Sequence, residues 1–143
     1  MAGKVVIGSD HGGFTLKTFA IKLLTDMGYD VVDAGPEEAV SCDYPVYAKK
    51  VAEMVTGEDI PGILICGTGL GMSMAANKIK GIRAAMCTNE YMAKMARAHN
   101  NANILCLGER VIGPGLAEEI IRAFMTSEFE GDRHLRRINL FDK

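Results

Sequence analysis

Gly62-Ile63-Leu64-Ile65-Cys66 and, further along, Ile104-Leu105-Cys106-Leu107 are short runs without a polar side chain. A strand with one wet face alternates apolar and polar residues. A strand covered on both faces, as in a parallel sheet between helical layers, reads as a continuous apolar run. The segments around these two runs agree. Lys4–Ser9 (KVVIGS) is rich in β-branched residues, and Leu16, Phe19, Ala20, Leu23, Leu24 and Met27 then recur at helical spacing up to Gly28. The pattern continues with a strand near Asp30–Asp33, a helix from Val46 to Val55, the strand Gly62–Cys66, and a helix from Gly71 to Ile79. A strand Ile82–Cys87, a helix Glu90–Ala98, a strand Ile104–Leu107 and a helix Pro114–Met125 follow. Five strand–helix repeats predict a doubly wound, Rossmann-like α/β fold, a five-stranded parallel sheet with helices on both faces. Such sheets bind ligands beyond the carboxyl ends of their strands, where strand order reverses. The expected site is therefore built from Ser9–Gly13, the turn after Cys66, and the segments after the fourth and fifth strands.

The 143 residues suffice for one hydrophobic core, and no low-complexity or charge-run segment divides them, so a single domain over residues 1–143 is expected. A net charge of −2 gives no field suited to nucleic acid or a membrane surface, and any anion is bound locally, near clusters such as Arg133, Arg136 and Arg137. No N-terminal signal pattern is present, and no apolar run approaches the roughly 20 residues needed to span a bilayer, so a cytoplasmic protein is expected. The cysteines, Cys42, Cys66, Cys87 and Cys106, form no CxxC pair and are expected as free thiols. Cys87 and Cys106 lie in apolar runs as small hydrophobes, and Cys42 in a polar loop. The long connection from Gly35 to Pro45 fits either a partial lid or a plain surface loop. The tail after Gly131 pairs basic residues with Leu135, Ile138, Leu140 and Phe141. So short an amphipathic helix is best stabilised by docking, with a second subunit as the expected support.

Cys66 stands where an apolar strand gives way to Gly67-Thr68-Gly69-Leu70-Gly71 and a helix. The positive end of that helix favours thiolate over thiol, and unpaired N–H groups in the turn can hold an oxyanion. The turn is not a P-loop, because Gly71 precedes Met72-Ser73 rather than Lys-Ser/Thr. It is not a dinucleotide fingerprint, which has the spacing GxGxxG after the first strand. It is not a cysteine-phosphatase loop, since Met72 stands where the arginine belongs, nor a receiver domain, which would carry aspartate in place of Cys66. A thiol base beside an oxyanion hole suits proton transfer next to a carbonyl, as in aldose–ketose interconversion. The run around Cys66 taken alone fits an inert buried thiol equally well. Among the three histidines, His11 beside Asp10 follows the first strand, and His99 with Asn100 ends the helix after the fourth; both are expected at the active end of the sheet. His99 also fits a plain helix C-terminal cation. No pair of histidines has helical metal-ligand spacing, and a reaction without metal or cofactor is expected. Arg133 and Arg137, four residues apart, could grip a phosphate from one helix face, joined by Arg110. A solvated basic face explains the same arginines, and Arg136 reads as that.

Together, Gly8-Ser9-Asp10-His11-Gly12-Gly13-Phe14, Asp43-Tyr44-Pro45, Cys66 to Gly71 with Ala75-Ala76-Asn77-Lys78, Arg97-Ala98-His99-Asn100, Gly108-Glu109-Arg110-Val111 and Arg133-His134-Leu135-Arg136-Arg137 make a specific set. Over nearly its whole length the chain resembles the type B ribose-5-phosphate isomerases, a family shared with galactose-6-phosphate isomerase subunits. The resemblance implies that Cys66 shuttles a proton between the first two sugar carbons while the amides of Gly67, Gly69 and Gly71 stabilise an enediolate. Thr68 would assist proton movement on the oxygens, and His99 with Asp10 would open the furanose ring. His11, Arg110, Arg133 and Arg137 match phosphate ligands, and Asn100 and Tyr44 line the sugar. Met72 stands where some members carry a glutamate base, which places this chain in the cysteine branch. The resemblance also implies a homodimer, often a tetramer, with sites built from two subunits. A hexose 6-phosphate isomerase and a non-catalytic sugar-phosphate-binding module remain as alternatives, because chain length and hydroxyl stereochemistry are read by pocket shape.

Overall fold

The computed structural model describes residues 3–142. The strands are β1 (Lys4–Ser9), β2 (Asp30–Asp33), β3 (Gly62–Cys66), β4 (Ala84–Met86) and β5 (Ile104–Gly108). The helices are α1 (Phe14–Asp26), α2 (Tyr44–Glu58), α3 (Leu70–Asn77), α4 (Glu90–Ala98), α5 (Pro114–Thr126) and α6 (Arg133–Phe141). Every strand pair is parallel, in the order β2-β1-β3-β5-β4, so the doubly wound five-stranded sheet read from the sequence is the observed one.

The right-handed crossover rule explains which face each helix covers. The connections β1 to β2 and β4 to β5 move one way along the sheet, and their helices α1 and α4 share a face with α5. The connections β2 to β3 and β3 to β4 move the other way, which puts α2 and α3 on the opposite face. Val5, Ile7, Ile63, Ile65, Leu105 and Leu107 pack with Leu24, Ile120 and Phe124 on the first side. Val6, Leu64, Ile104 and Cys106 pack with Val51, Val55 and Met72 on the second. The central strands β3 and β5 are buried at every position, which is why they read as unbroken apolar runs. The edge strand β4 is half-buried throughout.

Element ends differ from the periodicity where side chains intervene. α2 starts at Tyr44 because Pro45 fits the first turn, where a missing N–H costs nothing. α3 stops at Asn77, whose side chain bonds both the N–H and the C=O of Ala84, and β4 begins only there. The loop ahead of α2 is exposed from Glu37 to Ser41.

The tail forms α6, but its buried face, His134 and Ile138, rests on its own chain, and Arg83 Nη1 meets Asp142 Oδ2 at 2.6 Å. Leu135, Leu140 and Phe141 remain exposed. All five strands end on one edge, at Ser9, Asp33, Cys66, Met86 and Gly108, and the following helices return to the other.

Candidate active site

Cys66 is the last residue of β3 and only 6% exposed, and its Sγ accepts a hydrogen bond from the Gly69 N–H at 3.1 Å. Gly69 holds φ +82°, a left-handed conformation that glycine adopts without steric cost, and this turns the chain sharply into α3. Thr68 Oγ1 receives the Leu70 N–H at 3.2 Å. The first N–H groups of α3 have no i−4 carbonyl within the helix, up to Ser73, whose N–H bonds Gly69 O at 3.1 Å, which leaves donors for an anion at the helix start. The underside of the turn is tightly packed: a Cβ on Gly108 would stand 2.6 Å from the Thr68 backbone.

The loop after β1 lies against this turn because β1 and β3 are neighbours at the point where strand order reverses. The Asp10 N–H donates to Ile65 O at 3.1 Å, and the Asp10 carboxylate accepts from Gly13 N at 3.1 Å, capping a short 3-10 turn that presents His11 to solvent. Gly13 must be glycine, since a Cβ there would lie 2.5 Å from Ile65 O. Tyr44 sets its ring where a Cβ of Gly71 would come within 2.8 Å. Arg110 bonds Gly67 O through its own N–H at 3.0 Å, and its guanidinium lies 3.6 Å from the place of a Gly67 Cβ. Glu109, to which the sequence reading gave no role, joins the loops: its N–H donates to Cys66 O at 2.9 Å and its carboxylate accepts the Leu16 N–H of α1 at 2.6 Å. Asp10, His11, Tyr44, Cys66, Gly67, Thr68, Gly69, Gly71 and Arg110 are thus gathered at one edge.

His99 and Asn100 are not there, which corrects the expectation that His99 sits at the active end. α4 runs antiparallel to the strands, so its C-terminus at Ala98 falls on the amino edge of the sheet, where Asn103 O accepts the Gly62 N–H at 2.9 Å. The length of β5 separates the two edges, about 13 Å at 3.3 Å per residue. His99 stacks on His134 of α6, with ring centroids 4.3 Å apart and planes within 11°. Arg133 and Arg137 project from the exposed side of the same helix. Glu130 stands over both rings, with Oε1 3.8 Å from His99 Nε2 and 3.7 Å from His134 Nε2. Burial, then the neighbouring His99 and Arg133, hold the His134 imidazole below its usual proton affinity. Glu130 and His134 escaped the sequence reading although they sit at i,i+4, because only the fold brings them to His99. The chain thus carries two clusters on opposite edges, each with cations suited to phosphate.

A model of the ribose/galactose isomerase family matches residues 5–141. The ribose-5-phosphate isomerase B of Escherichia coli is 45% identical over 136 residues, covering 94% of this chain and 91% of that protein. The structure of Clostridium thermocellum ribose-5-phosphate isomerase B superposes with a TM-score of 0.96 at 52% identity, covering 97% of this chain and 95% of that one. The Mycoplasma genitalium enzyme of the same name, solved with bound ribulose-5-phosphate, gives 0.94 at 43% identity, covering 98% and 94%. With a cysteine set against helix N–H donors, and with sequence and fold shared end to end, the chain belongs to the ribose/galactose isomerase family, in its type B ribose-5-phosphate isomerase branch, and is a sugar isomerase.

Proposed function

We propose that the chain interconverts ribose 5-phosphate and ribulose 5-phosphate through an enediolate, with Cys66 as the proton-shuttling base. The observation that carries the mechanism is the Cys66 sulfur 3.1 Å from Gly69 N, at the mouth of α3. His99 with Asp10 opens the furanose ring by moving a proton between the ring oxygen and the anomeric hydroxyl. The Cys66 thiolate takes the proton from C2 of the aldose, and the electron pair moves onto O1, where the N–H groups of the Gly67–Gly71 turn stabilise it. Thr68 helps exchange the proton between O1 and O2, and Cys66 returns its proton to C1 to give the ketose. His11, Arg110, Arg133 and Arg137 hold the phosphate, and Asn100 and Tyr44 align the hydroxyls.

These groups cannot meet within one chain, and a second copy supplies the missing half. Leu70 and Met74 of α3 and Tyr91 and Met92 of α4 are exposed on both sides of the half-buried edge strand β4, an apolar surface suited to an isologous contact. A two-fold axis perpendicular to the strands would bring the Cys66 edge of one protomer against the His99 and Arg137 edge of its partner. The homodimer then carries two composite sites. Among the described residues no helix is long and apolar enough to cross a membrane, and the free thiols suit a reducing cytoplasm.

The test is turnover on ribose 5-phosphate, allose 6-phosphate and galactose 6-phosphate, with solvent deuterium followed into the product. The pentose phosphate should be preferred and should gain deuterium. Cys66→Ala should lower turnover by about two to four orders of magnitude while leaving phosphate binding intact. Binding without exchange at any pH between about 6 and 9 would instead mark a non-catalytic module.

A further inference from the structure

We propose that His99, Glu130 and His134 form a site for a divalent transition metal of the zinc class, and that its occupancy switches the isomerase off. Two imidazoles and a carboxylate are a donor set that zinc accepts, with a fourth position left for water or substrate. The three ligand atoms lie within 4.8 Å of one another. Bonds of about 2.1 Å at tetrahedral angles would separate ligand atoms by about 3.4 Å. The observed 3.7 and 3.8 Å from Glu130 Oε1 to the two Nε2 atoms exceed this by a few tenths of an ångström, within reach of small side-chain rotations.

The same distances are too long for hydrogen bonds. His134 Nε2 is in fact left without a partner although its side chain is only 7% exposed, and it points at Glu130. A buried polar atom without a partner is costly, and a metal ion would use its lone pair.

The site is also held in place. The Glu130 N–H donates to Ala98 O at 3.0 Å, which pins the carboxylate beside the end of α4. Gly131 and Asp132, at φ +71° and +51°, then fold the chain back so that His134 returns to His99. One movement is required. The stacked rings hold their lone pairs in nearly parallel planes 4.3 Å apart at the centroids, so one ring must turn to share an ion, and His99, with a 39% exposed side chain, has the freedom that His134 lacks. The ion therefore draws His99 out of its stack and ties up its imidazole, which takes His99 away from the ring-opening proton transfer. The guanidinium groups of Arg133 and Arg137 disfavour ions held by charge alone, so imidazole-seeking metals should bind and magnesium or calcium should not.

Metal binding stands on this geometry alone, whereas inhibition rests on the role proposed above for His99. The experiment titrates metal-stripped enzyme with Co²⁺ and Zn²⁺, beside Cys66→Ala, Glu130→Gln and His134→Gln. Expected is one Co²⁺ per chain, with visible absorption and no thiolate-to-cobalt band, unchanged in Cys66→Ala and weakened at least about tenfold in Glu130→Gln and His134→Gln. Zn²⁺ should inhibit the wild type, EDTA should reverse it, and Glu130→Gln should keep its metal-free activity while needing at least about tenfold more Zn²⁺. Absence of binding, binding undiminished in Glu130→Gln, or a thiolate band lost with Cys66 would overturn the site. Triad binding that leaves turnover intact would overturn the switch and the role of His99 while the metal site stood. Inhibition with a normal triad and no deuterium exchange in the metal-free enzyme would point to failure of the isomerase mechanism instead.

Discussion

Cys87 and Cys106 share with Cys66 an apolar stretch of sequence, yet the three thiols sit in different surroundings. Burial raises the pKa of Cys106 far above the usual thiol range, with Cys66 and Cys87 adding to the effect, and burial alone pushes Cys87 up to about 11. Thiols of this kind stay protonated and inert at neutral pH. Brief alkylation near neutrality should therefore spare Cys87 and Cys106 and modify Cys42 and Cys66, with ribose 5-phosphate protecting Cys66 alone. Peptide mass spectrometry of the labelled protein checks this, and rapid labelling of Cys106 in folded protein would contradict it. His134 makes a second prediction. Burial first, then His99, Arg133 and Arg137, depress its proton affinity below the ordinary value of 6.5, with Glu130 opposing them. The unfolded chain then binds the proton more readily, so the contribution of neutral His134 is present above about pH 6.5 and lost as pH falls through the lower folded value. Denaturant midpoints between pH 7 and 5 should fall more steeply for the wild type than for His134→Gln. The place of Cys66 at the end of a buried strand was legible because it stands between an unbroken apolar run and a glycine turn. Glu130 was not, because its significance is a contact with a residue thirty-one positions earlier.

The elements that hold the site were largely visible in the sequence, since periodicity and turn residues act locally. β1, β2, β3 and α4 have the bounds that their patterns suggest, and the departures at α2, α3 and β4 arise from a proline and an asparagine clamp. Hidden were the close approaches between elements, which two glycines test in opposite ways. A Cβ at Gly108 would meet the Thr68 backbone at 2.6 Å, and backbone within a packed turn cannot step aside. Gly108→Ala should cost about 1–3 kcal/mol in urea unfolding and lower kcat by displacing the turn. The atoms nearest a Cβ at Gly71 all belong to Tyr44, a side chain that is 39% exposed. Gly71→Ala should change stability by less than about 1 kcal/mol, because the ring can swing and alanine favours the helix, and it should act mainly on KM. Equal losses of stability in the two variants would show that the turn is softer than its packing suggests.

For the whole molecule, the decisive fact is that the two clusters lie on opposite edges of one sheet. If copies share their sites, two inactive variants should rescue one another. In a homodimer built that way Cys66→Ala would damage one cluster and Arg137→Ala the other, so each variant alone should be strongly impaired. After subunit exchange of an equal mixture, half the dimers are hybrids with one intact site, and activity should recover to about a quarter of the wild type. No recovery after verified exchange would show that each chain uses its own residues. The doubly wound sheet and the Cys66 turn were legible in the sequence, because strand burial, helix periodicity and turn geometry are set by residues near one another along the chain. Only the tertiary structure decided that α4 carries His99 away from Cys66 and onto His134 and Glu130, because an edge of the sheet is assigned by the direction of a helix and the order of strands, and neither is a local property.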